Sequence, residues 1–371
     1  MAGKHSEDEI PKAFQKNNDN NNVKTKKKGK TKKNGKKKMN PFLKVIIVLA
    51  IILVLILGVL FGYITSKLNK IQQVDLSDED LGISENENLK GYRNIAIFGV
   101  DSRSDDYGVG NRSDSIIIAS INNETGDIKL ISVYRDTYVN IEGYGLDKIT
   151  HAYSYGEAPL AIKTLNTNLD LNIEEFVTVN FDSVSDAVDA LGGIQMKITD
   201  EEVKYINKYI RETASVTGKT ANEITSAGTY TLDGVQAVAY SRIRYTSGGD
   251  YKRTERMRDV IEAMFKQLKT KSVTEINTFA NTILPEVYSN IGTTDILALV
   301  PNLAKYSIGE SIGWPYETKG ITLDRWYGVP VTLESNVLQL HQEVFGDTDY
   351  TVPESIQSIS QSIINKTGYT N

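Results

Sequence analysis

Apolar residues are first concentrated in one long stretch near the amino terminus. Between Lys44 and Lys67 there are 22 residues without a charge, almost all of them Leu, Ile, Val, Phe or Gly. A helix rises about 1.5 Å per residue, so this length crosses a hydrocarbon core roughly 30 Å thick. A cleaved signal peptide usually has a shorter apolar region and a small-residue cleavage site. The pattern therefore predicts an uncleaved transmembrane signal-anchor over residues 42–66.

Polar segments flank this stretch on both sides. Residues 1–41 contain an Asn run and ten lysines between Lys24 and Lys38. Because this segment has few apolar residues to bury, we expect it to be disordered. Lysines before the anchor predict a single-pass protein of the cell membrane with a cytoplasmic amino terminus and an extracellular domain. Residues 67–90 are acidic and polar, and we interpret them as a stalk that holds the domain off the bilayer.

Beyond residue 90 the hydrophobic pattern changes to short runs rich in Ile and Val, bounded by turn residues, which predict strands. These runs are NIAIFGVD (94–101), SDSIIIASIN (113–122), DIKLISVYRD (127–136), FVTVNF (176–181) and IQMKIT (194–199). Between and after them, helical spacing predicts a helix broken around Gly156–Pro159, a helix over DSVSDAVDALGG, a helix over TLDGVQAVAYSRIR and an amphipathic helix over residues 253–269.

Strands that alternate with helices predict an α/β domain with a mixed sheet covered on both faces. We place this domain over residues 91–345, with helical pieces continuing to about Phe345 and a C-terminal tail over residues 346–371, of which we expect the last 20 residues to be frayed. About 250 residues are enough to build one sizeable core.

Charge divides the chain unevenly. Residues 1–44 carry 14 Lys and 4 acidic residues, which leaves 28 basic and 43 acidic residues in 45–371 and a net charge of −15 there. Within this acidic body, the stretch from Tyr240 to Arg258 holds five of the chain's eleven arginines. Arginine pairs bidentately with phosphate or carboxylate, so the cluster is either an anion site or a surface helix with ion pairs.

Two carboxylates stand at predicted strand ends. Asp101 closes the first strand and Asp114 opens the second, so we expect them to lie close together. Such a pair can hold Mg²⁺ (or Mn²⁺) against a phosphate, because this hard cation prefers oxygen ligands. Asp and Gly also form ordinary turns, which is the interpretation we favour for Asp105, Asp106 and Gly108.

The arginines complete a possible diphosphate site. Arg242 and Arg244 share a face if the chain is extended there, and Arg253 falls just before or in the first turn of the amphipathic helix. Arg135 closes the third strand. Metal and guanidinium groups together would neutralise a multiply charged leaving group.

Other reaction classes find little support. The chain has no Cys and no P-loop, HExxH or GxSxG motif. Of its three histidines, His5 lies in the tail, and we interpret His151 as a helix-face residue rather than a base. The 20 tyrosines suit a sugar-binding groove, although ordinary half-buried packing explains any one of them.

Several segments together resemble the LytR–CpsA–Psr family of Gram-positive bacteria, over about residues 91–345 and in the anchor topology. They are IAIFGVDSR, NRSDSIIIASIN, KLISVYRDTYVNI, DKITHAYSYG, DALGGIQMKI, the stretch from GTYTLDGVQAVAY to KRTERMRDVI, and NVLQLHQEVF. The resemblance implies an α/β/α sandwich preceded by one transmembrane helix. It also implies an Mg²⁺-dependent phosphotransferase that moves an anionic glycopolymer, such as teichoic acid or capsule, from undecaprenyl diphosphate to a peptidoglycan hydroxyl.

The resemblance also assigns roles to individual residues. The family's metal-associated carboxylates fall on Asp101 and Asp114, which with Arg135 form the expected catalytic group. Its diphosphate-binding positions fall on Arg103, Arg112, Arg135, Arg242, Arg244 and Arg253. We interpret Arg256 and Arg258 as helix-surface residues. The chain departs from the family pattern at Tyr134, where Pro is usual, and at Met257, where Gln is frequent.

Three rival functions remain open at this level. A polyprenyl diphosphate hydrolase would use the same site with water as acceptor. A lipid- or glycan-binding module would use it without turnover. A transcriptional regulator fits least, because the only long Lys-rich stretch is a 40-residue tail without a DNA-binding fold, and we expect no nucleic-acid partner.

Overall fold

The computed structural model describes residues 72–76, 79–102, 107–292, 295–296 and 299–370. The predicted cytoplasmic tail, the predicted signal-anchor and Arg103 lie outside these residues. Within them, no helix combines the length and the apolar character that a membrane span requires.

A mixed sheet forms the framework of the domain. In chain order the strands are β1 (Gln72–Gln73), β2 (Tyr92–Val100), β3 (Ser113–Asn122), β4 (Asp127–Val133), β5 (Tyr138–Ile141), β6 (Gly145–Lys148), β7 (Glu175–Val179), β8 (Ile194–Ile198), β9 (Gly228–Leu232), β10 (Tyr288–Ser289), β11 (Ser307–Ile308), β12 (Ile312–Trp314), β13 (Thr318–Thr322) and β14 (Trp326–Pro330). The central sheet has the order β1-β10-β7-β2-β3-β4-β11, and β12 also pairs with β4. Strand β2 is antiparallel to β3 and parallel to β7.

Helices lie between and after the strands. The α-helices are α1 (Thr150–Leu169), α2 (Phe181–Ala190), α3 (Asp200–Thr217), α4 (Gly234–Ser241), α5 (Gly249–Leu268), α6 (Val273–Ile283), α7 (Leu333–Phe345) and α8 (Glu354–Thr367). Helix α1 has non-helical backbone at Gly156 and Glu157, which confirms the predicted break.

Both faces of the central sheet are buried. Alternate side chains of β2 and β3, such as Phe98 and Ile116, join a core that includes residues of α1, α7 and α8. Ile117 belongs to a separate cluster on the opposite face, where Met257 and Ile261 of α5 pack against it. A third cluster joins α3, α4 and α5 to the small β8–β9 sheet. The predicted α/β class, with a mixed sheet covered on both faces, is confirmed.

The structure differs from the predicted elements in two places. Thr231 and Leu232, the first two residues of the predicted helix, instead end strand β9, because Asp233 caps α4 and the helix begins only at Gly234. Residues 288–330 contain short strands rather than helical pieces alone.

The two ends of the described chain also pack on the domain. The last 20 residues, predicted to be frayed, include helix α8, whose Ile356 and Ile363 are buried in the main core. In the segment predicted to be a stalk, Leu76, Leu81 and Leu89 are buried in the same core. Both segments contain few apolar residues, but those residues lie on the side of each segment that packs against the domain.

Candidate active site

Two carboxylates lie at one edge of the central sheet. Val100, the last residue of β2, pairs with Ser113, the first residue of β3. Asp101 and Asp114 follow these two residues, and both line the same two cavities. Asp101 is exposed, whereas the Asp114 side chain is 24% exposed. The expectation that neighbouring strand ends bring the pair together is met.

Arg135 holds the Asp114 carboxylate in place. Its Nη1 donates a hydrogen bond to Asp114 Oδ1 at 3.0 Å. Burial alone would lower the pKa of Arg135, but Asp114, Asp250 and Asp136 raise it above its ordinary value. The Arg135 Nε is buried and has no hydrogen-bond partner among the described residues. Arg135 is therefore a cation fixed among three carboxylates, and it lines neither of the two cavities at this site.

Arg253 is the most deeply buried cation of the group, with 1% of its surface exposed. Its Nη2 donates to the backbone oxygen of Asp114 at 3.1 Å, and its Nη1 lies 3.3 Å from Asp250 Oδ1. Burial lowers the pKa of Arg253 to about 10, which still leaves it protonated at neutral pH. Its Nε is also buried without a hydrogen-bond partner among the described residues. Helix α5 begins at Gly249, so Arg253 is its fifth residue and lies past the predicted first turn.

Arg242 and Arg244 follow the end of α4. The chain at Arg242 is in the α-helical region, with φ −92° and ψ −8°, so the predicted extended pair does not form. The Arg242 guanidinium lies 4.8 Å from the centre of the Phe181 ring, and its Nη1 donates to Thr213 Oγ1 at 2.9 Å. The Arg244 side chain is 45% exposed. Both arginines nevertheless line the same cavity as Arg253.

Asp250 lies near three of the arginines, a role that was not predicted from the sequence. Its carboxylate lies 3.8 Å from Arg135 Nε, 3.9 Å from Arg244 Nε and 3.3 Å from Arg253 Nη1. Its spacing from Arg253, three residues along a helix, was the available signal, but its proximity to Arg135 depends on the tertiary fold.

A cavity of about 640 Å³ opens at these charged groups. Its mouth carries Asp101, Asp114, Arg242, Arg244 and Arg253. Its interior is apolar and is formed by the sheet, α2, α5 and α6, through residues that include Ile97, Ile117, Val184, Val260, Met264, Phe279 and Ile283. The lining thus combines a group of charged side chains with an apolar interior.

The carboxylates fit a magnesium ion that is shared with a phosphate ligand. No cluster of three or more potential metal-ligating side chains exists in the described part of the chain. Mg²⁺ does not need such a cluster, because it is often held by one or two carboxylates, water and substrate phosphates. Asp101 has no ion pair within the described ranges, and only one oxygen of Asp114 accepts from Arg135. Carboxylate oxygens therefore remain available to a hard cation.

A second, smaller cavity of about 340 Å³ adjoins the same carboxylates. Arg112 is exposed and lines this second cavity, whereas it is absent from the lining of the first. His151 also lines it, although only 9% of its surface is exposed. The interpretation of His151 as an ordinary helix-face residue overlooked this position, because its partner Asp147 precedes α1.

The interpretation of Arg256 as a surface residue is wrong. Arg256 is 1% exposed and donates Nε to Glu202 Oε1 at 2.9 Å. Its other nitrogens donate to Ile243 O at 3.0 Å and Thr246 Oγ1 at 2.8 Å, so it anchors the turn that carries Arg242 and Arg244. Arg258 is half-buried as well, and burial lowers its pKa.

Comparison with known proteins identifies similar sequences. The family model described as the LytR_cpsA_psr family matches residues 59–318. A relative from Bacillus subtilis (strain 168), named polyisoprenyl-teichoic acid--peptidoglycan teichoic acid transferase TagT, is 31% identical over 233 residues. The match covers 61% of this chain and 70% of the relative.

Two solved structures share the fold. One, "TagT bound to LI-WTA", is 23% identical with a TM-score of 0.54, and the match covers 80% of this chain and 99% of that chain. The other, "LytR-CPS2A-psr family protein YwtF (TagT) with bound octaprenyl pyrophosphate lipid", is 22% identical with a TM-score of 0.51 and the same coverage. At this level of identity the structural likeness establishes the fold alone.

Proposed function

The chain belongs to the LytR_cpsA_psr family, and from this premise we propose that it is a membrane-anchored glycopolymer–peptidoglycan phosphotransferase. Its donor is an anionic glycopolymer, such as teichoic acid or capsule, linked to undecaprenyl diphosphate. Its acceptor is a hydroxyl of peptidoglycan. The relative named as a teichoic acid transferase supports this choice of reaction.

The main support for the proposal is that one cavity is lined both by apolar side chains and, at its mouth, by charged side chains. A polyprenyl chain fits the interior, since burying each CH₂ contributes about 0.8 kcal/mol. The diphosphate then lies at Asp101, Asp114 and the three arginines of the mouth. A protein of the same fold was solved with bound octaprenyl pyrophosphate lipid, which supports this class of ligand.

In the proposed reaction the acceptor oxygen attacks the phosphorus that bears the glycopolymer. The bond between that phosphorus and the bridging oxygen breaks, and polyprenyl monophosphate leaves with the bond's electron pair. Arg253, which lines the cavity, stabilises the charge that develops on the leaving group. Arg135 lines neither cavity and acts by holding the Asp114 carboxylate. Asp250 keeps the arginines from repelling one another.

Asp101 and Asp114 are the residues that would hold Mg²⁺ (or Mn²⁺). When bound, the ion supplies positive charge next to the diphosphate. The Arg135 contact orients one oxygen of Asp114 and leaves the other for this role.

The predicted signal-anchor belongs to the same proposal. A lipid-linked donor stays in the bilayer, so an enzyme anchored there with its domain outside the cell meets both the donor and peptidoglycan. The test is an assay of the purified full chain with labelled lipid-linked teichoic acid and peptidoglycan. We expect label to become attached to peptidoglycan while polyprenyl monophosphate is released. Release of label as free polymer despite available peptidoglycan would instead identify a hydrolase.

A further inference from the structure

The second cavity lies on the side of Asp101 and Asp114 that faces helix α1. These two carboxylates line both cavities, so a group bound in the second cavity is adjacent to the charged mouth of the first. The second cavity is smaller and is lined by polar residues, including Asn111, Arg112 and Tyr155. It is therefore suited to a polar molecule rather than to a lipid chain.

His151 in this cavity is held in one orientation. Its Nδ1 lies 2.8 Å from Asp147 Oδ2, and the Tyr155 hydroxyl donates to the same oxygen at 2.7 Å. Burial would raise the pKa of Asp147, but hydrogen bonds from His151, Tyr155 and the Lys148 backbone lower it below its ordinary value. An ionised Asp147 can only accept, so the neutral imidazole carries its proton on Nδ1.

The other ring nitrogen is available for chemistry. The His151 Nε2 has no hydrogen-bond partner among the described residues, whereas Nδ1 is bound to Asp147. In the Nδ1–H tautomer, Nε2 is a hydrogen-bond acceptor. A carboxylate that orients a histidine in this way is the arrangement by which histidine removes a proton from a hydroxyl.

An aromatic surface adjoins the cavity. The Tyr155 ring stacks on Tyr144 with centroids 4.2 Å apart and an angle of 12° between the planes. Tyr144 is 56% exposed although it is a large aromatic residue. Arg325 also lines the cavity, and its side chain is 50% exposed. Aromatic faces next to hydrogen-bonding groups suit a sugar ring, which has apolar C–H faces and polar edges.

We propose that the second cavity is the acceptor site, which binds a sugar of the acceptor glycan beside Tyr155, and that His151 removes the proton from its reacting hydroxyl. This proposal rests on the proposed phosphotransferase function. The hydroxyl oxygen forms the new bond to the phosphorus that bears the glycopolymer. The hydroxyl proton moves to His151 Nε2, and the bond to polyprenyl monophosphate breaks. Asp147 is a positioning residue, because it acts through the imidazole.

The first experiment separates donor binding from transfer in full-chain variants. For His151→Gln we expect transfer to peptidoglycan to fall at least about 100-fold, as is typical for loss of a general base. Binding of octaprenyl diphosphate is expected to stay within about twofold of wild type, since His151 does not line the first cavity. Unchanged transfer in this variant would overturn the proposal.

Imidazole rescue separates catalysis from a structural role. Added imidazole is expected to restore transfer by His151→Ala at least about tenfold, because the second cavity can admit the small base. Asp101→Ala is the control, in which imidazole should restore nothing. If His151→Ala binds octaprenyl diphosphate normally, lacks transfer and is not rescued, the role of His151 as a base is overturned.

Two further variants test the acceptor site and its positioning residue. Tyr144→Ala, at an exposed position, should raise the KM for the acceptor at least about fivefold and leave the KM for the lipid donor unchanged. An unchanged acceptor KM would overturn the sugar site even if His151 variants failed to fold.

Asp147→Asn should lower transfer, and ¹⁵N chemical shifts of His151 should report loss of the Nδ1–H tautomer. A retained tautomer would contradict the role of Asp147.

The outcomes distinguish this proposal from the broader function. A wild-type chain that neither binds octaprenyl diphosphate nor transfers label would overturn both. A wild-type chain that transfers label, with His151 and Tyr144 variants that do so equally well, would overturn only the acceptor site.

Discussion

Arg253 donates a hydrogen bond to the backbone oxygen of Asp114 at 3.1 Å, joining two residues that are 139 positions apart in the chain. This contact fastens helix α5 to the beginning of β3. The proposed metal ligand and the most buried arginine of the site therefore hold each other in place before any ligand binds.

The first prediction concerns the planar fork of Arg253. Arg253→Lys keeps the positive charge, but a lysine lacks the several nitrogen donors by which Arg253 can contact the Asp114 backbone oxygen and a diphosphate at the same time. A charge-assisted hydrogen bond is worth about 1.5–3 kcal/mol, so we expect a loss of roughly 10- to 150-fold in kcat/KM for transfer. Arg211→Lys is the control, because Arg211 is an exposed residue paired with Glu223. Equal activity of Arg253→Lys and wild type would contradict the assigned role.

The second prediction concerns the carboxylates. Asp101→Asn removes charge at an exposed position without changing its size, so the melting temperature should be retained. Transfer should fall at least about tenfold, equivalent to about 1.4 kcal/mol of transition-state stabilisation. Glu124→Gln, at an exposed turn between β3 and β4, should behave as wild type. Full activity of wild type in EDTA would argue against a metal at this site.

The third prediction concerns stability. Arg256→Met leaves the Glu202 carboxylate buried without its cation, which costs about 3–5 kcal/mol of unfolding free energy. The exposed pair of Arg211 and Glu223 is the matched control, and Arg211→Met should cost about 0–1 kcal/mol. Chemical denaturation of the detergent-solubilised full chain measures both. Similar losses in the two variants would show that burial of Arg256 contributes little.

The fourth prediction concerns the apolar cavity. Val184→Trp places a large ring in the cavity wall and should exclude part of a long polyprenyl chain. Loss of two or more buried CH₂ groups, at about 0.8 kcal/mol each, weakens binding by about tenfold or more. Binding of a short geranyl diphosphate should change less than twofold. Val216→Trp, on the exposed part of α3, is the control. An equal loss for long and short ligands would contradict a chain-binding cavity.

The sequence predicted most of the central sheet because local pattern and fold agree there. Ile-rich runs such as residues 116–118 are buried on both faces, and turn residues separate the runs, so the local pattern favours strands at β2, β3 and β4. The proximity of Asp101 and Asp114 could be predicted because each lies at the end of one of two neighbouring strands. Helix α5 was predictable because Met257 and Ile261 share one face and pack on the sheet.

Other features depend on contacts that no local pattern records. The local sequence around Arg256 is that of a surface helix, and its burial depends on Glu202, which lies 54 positions earlier in the chain and contacts it only in the folded domain. The last two residues of β9, Thr231 and Leu232, were predicted to be helical because the apolar residues of α4 follow them directly. Helix α8 is mostly polar, and only Ile356, Ser360 and Ile363 are buried. In each case tertiary packing overrides a weak local preference.

The central claim is that the apolar cavity and its charged mouth together bind a polyprenyl diphosphate. A crystal structure of the protein with octaprenyl diphosphate tests it most directly. We expect density for the polyprenyl chain between the sheet and α5, with the diphosphate in contact with Asp101, Arg242 and Arg253. A diphosphate bound away from these residues, with the cavity unoccupied in a protein that still transfers label, would contradict it.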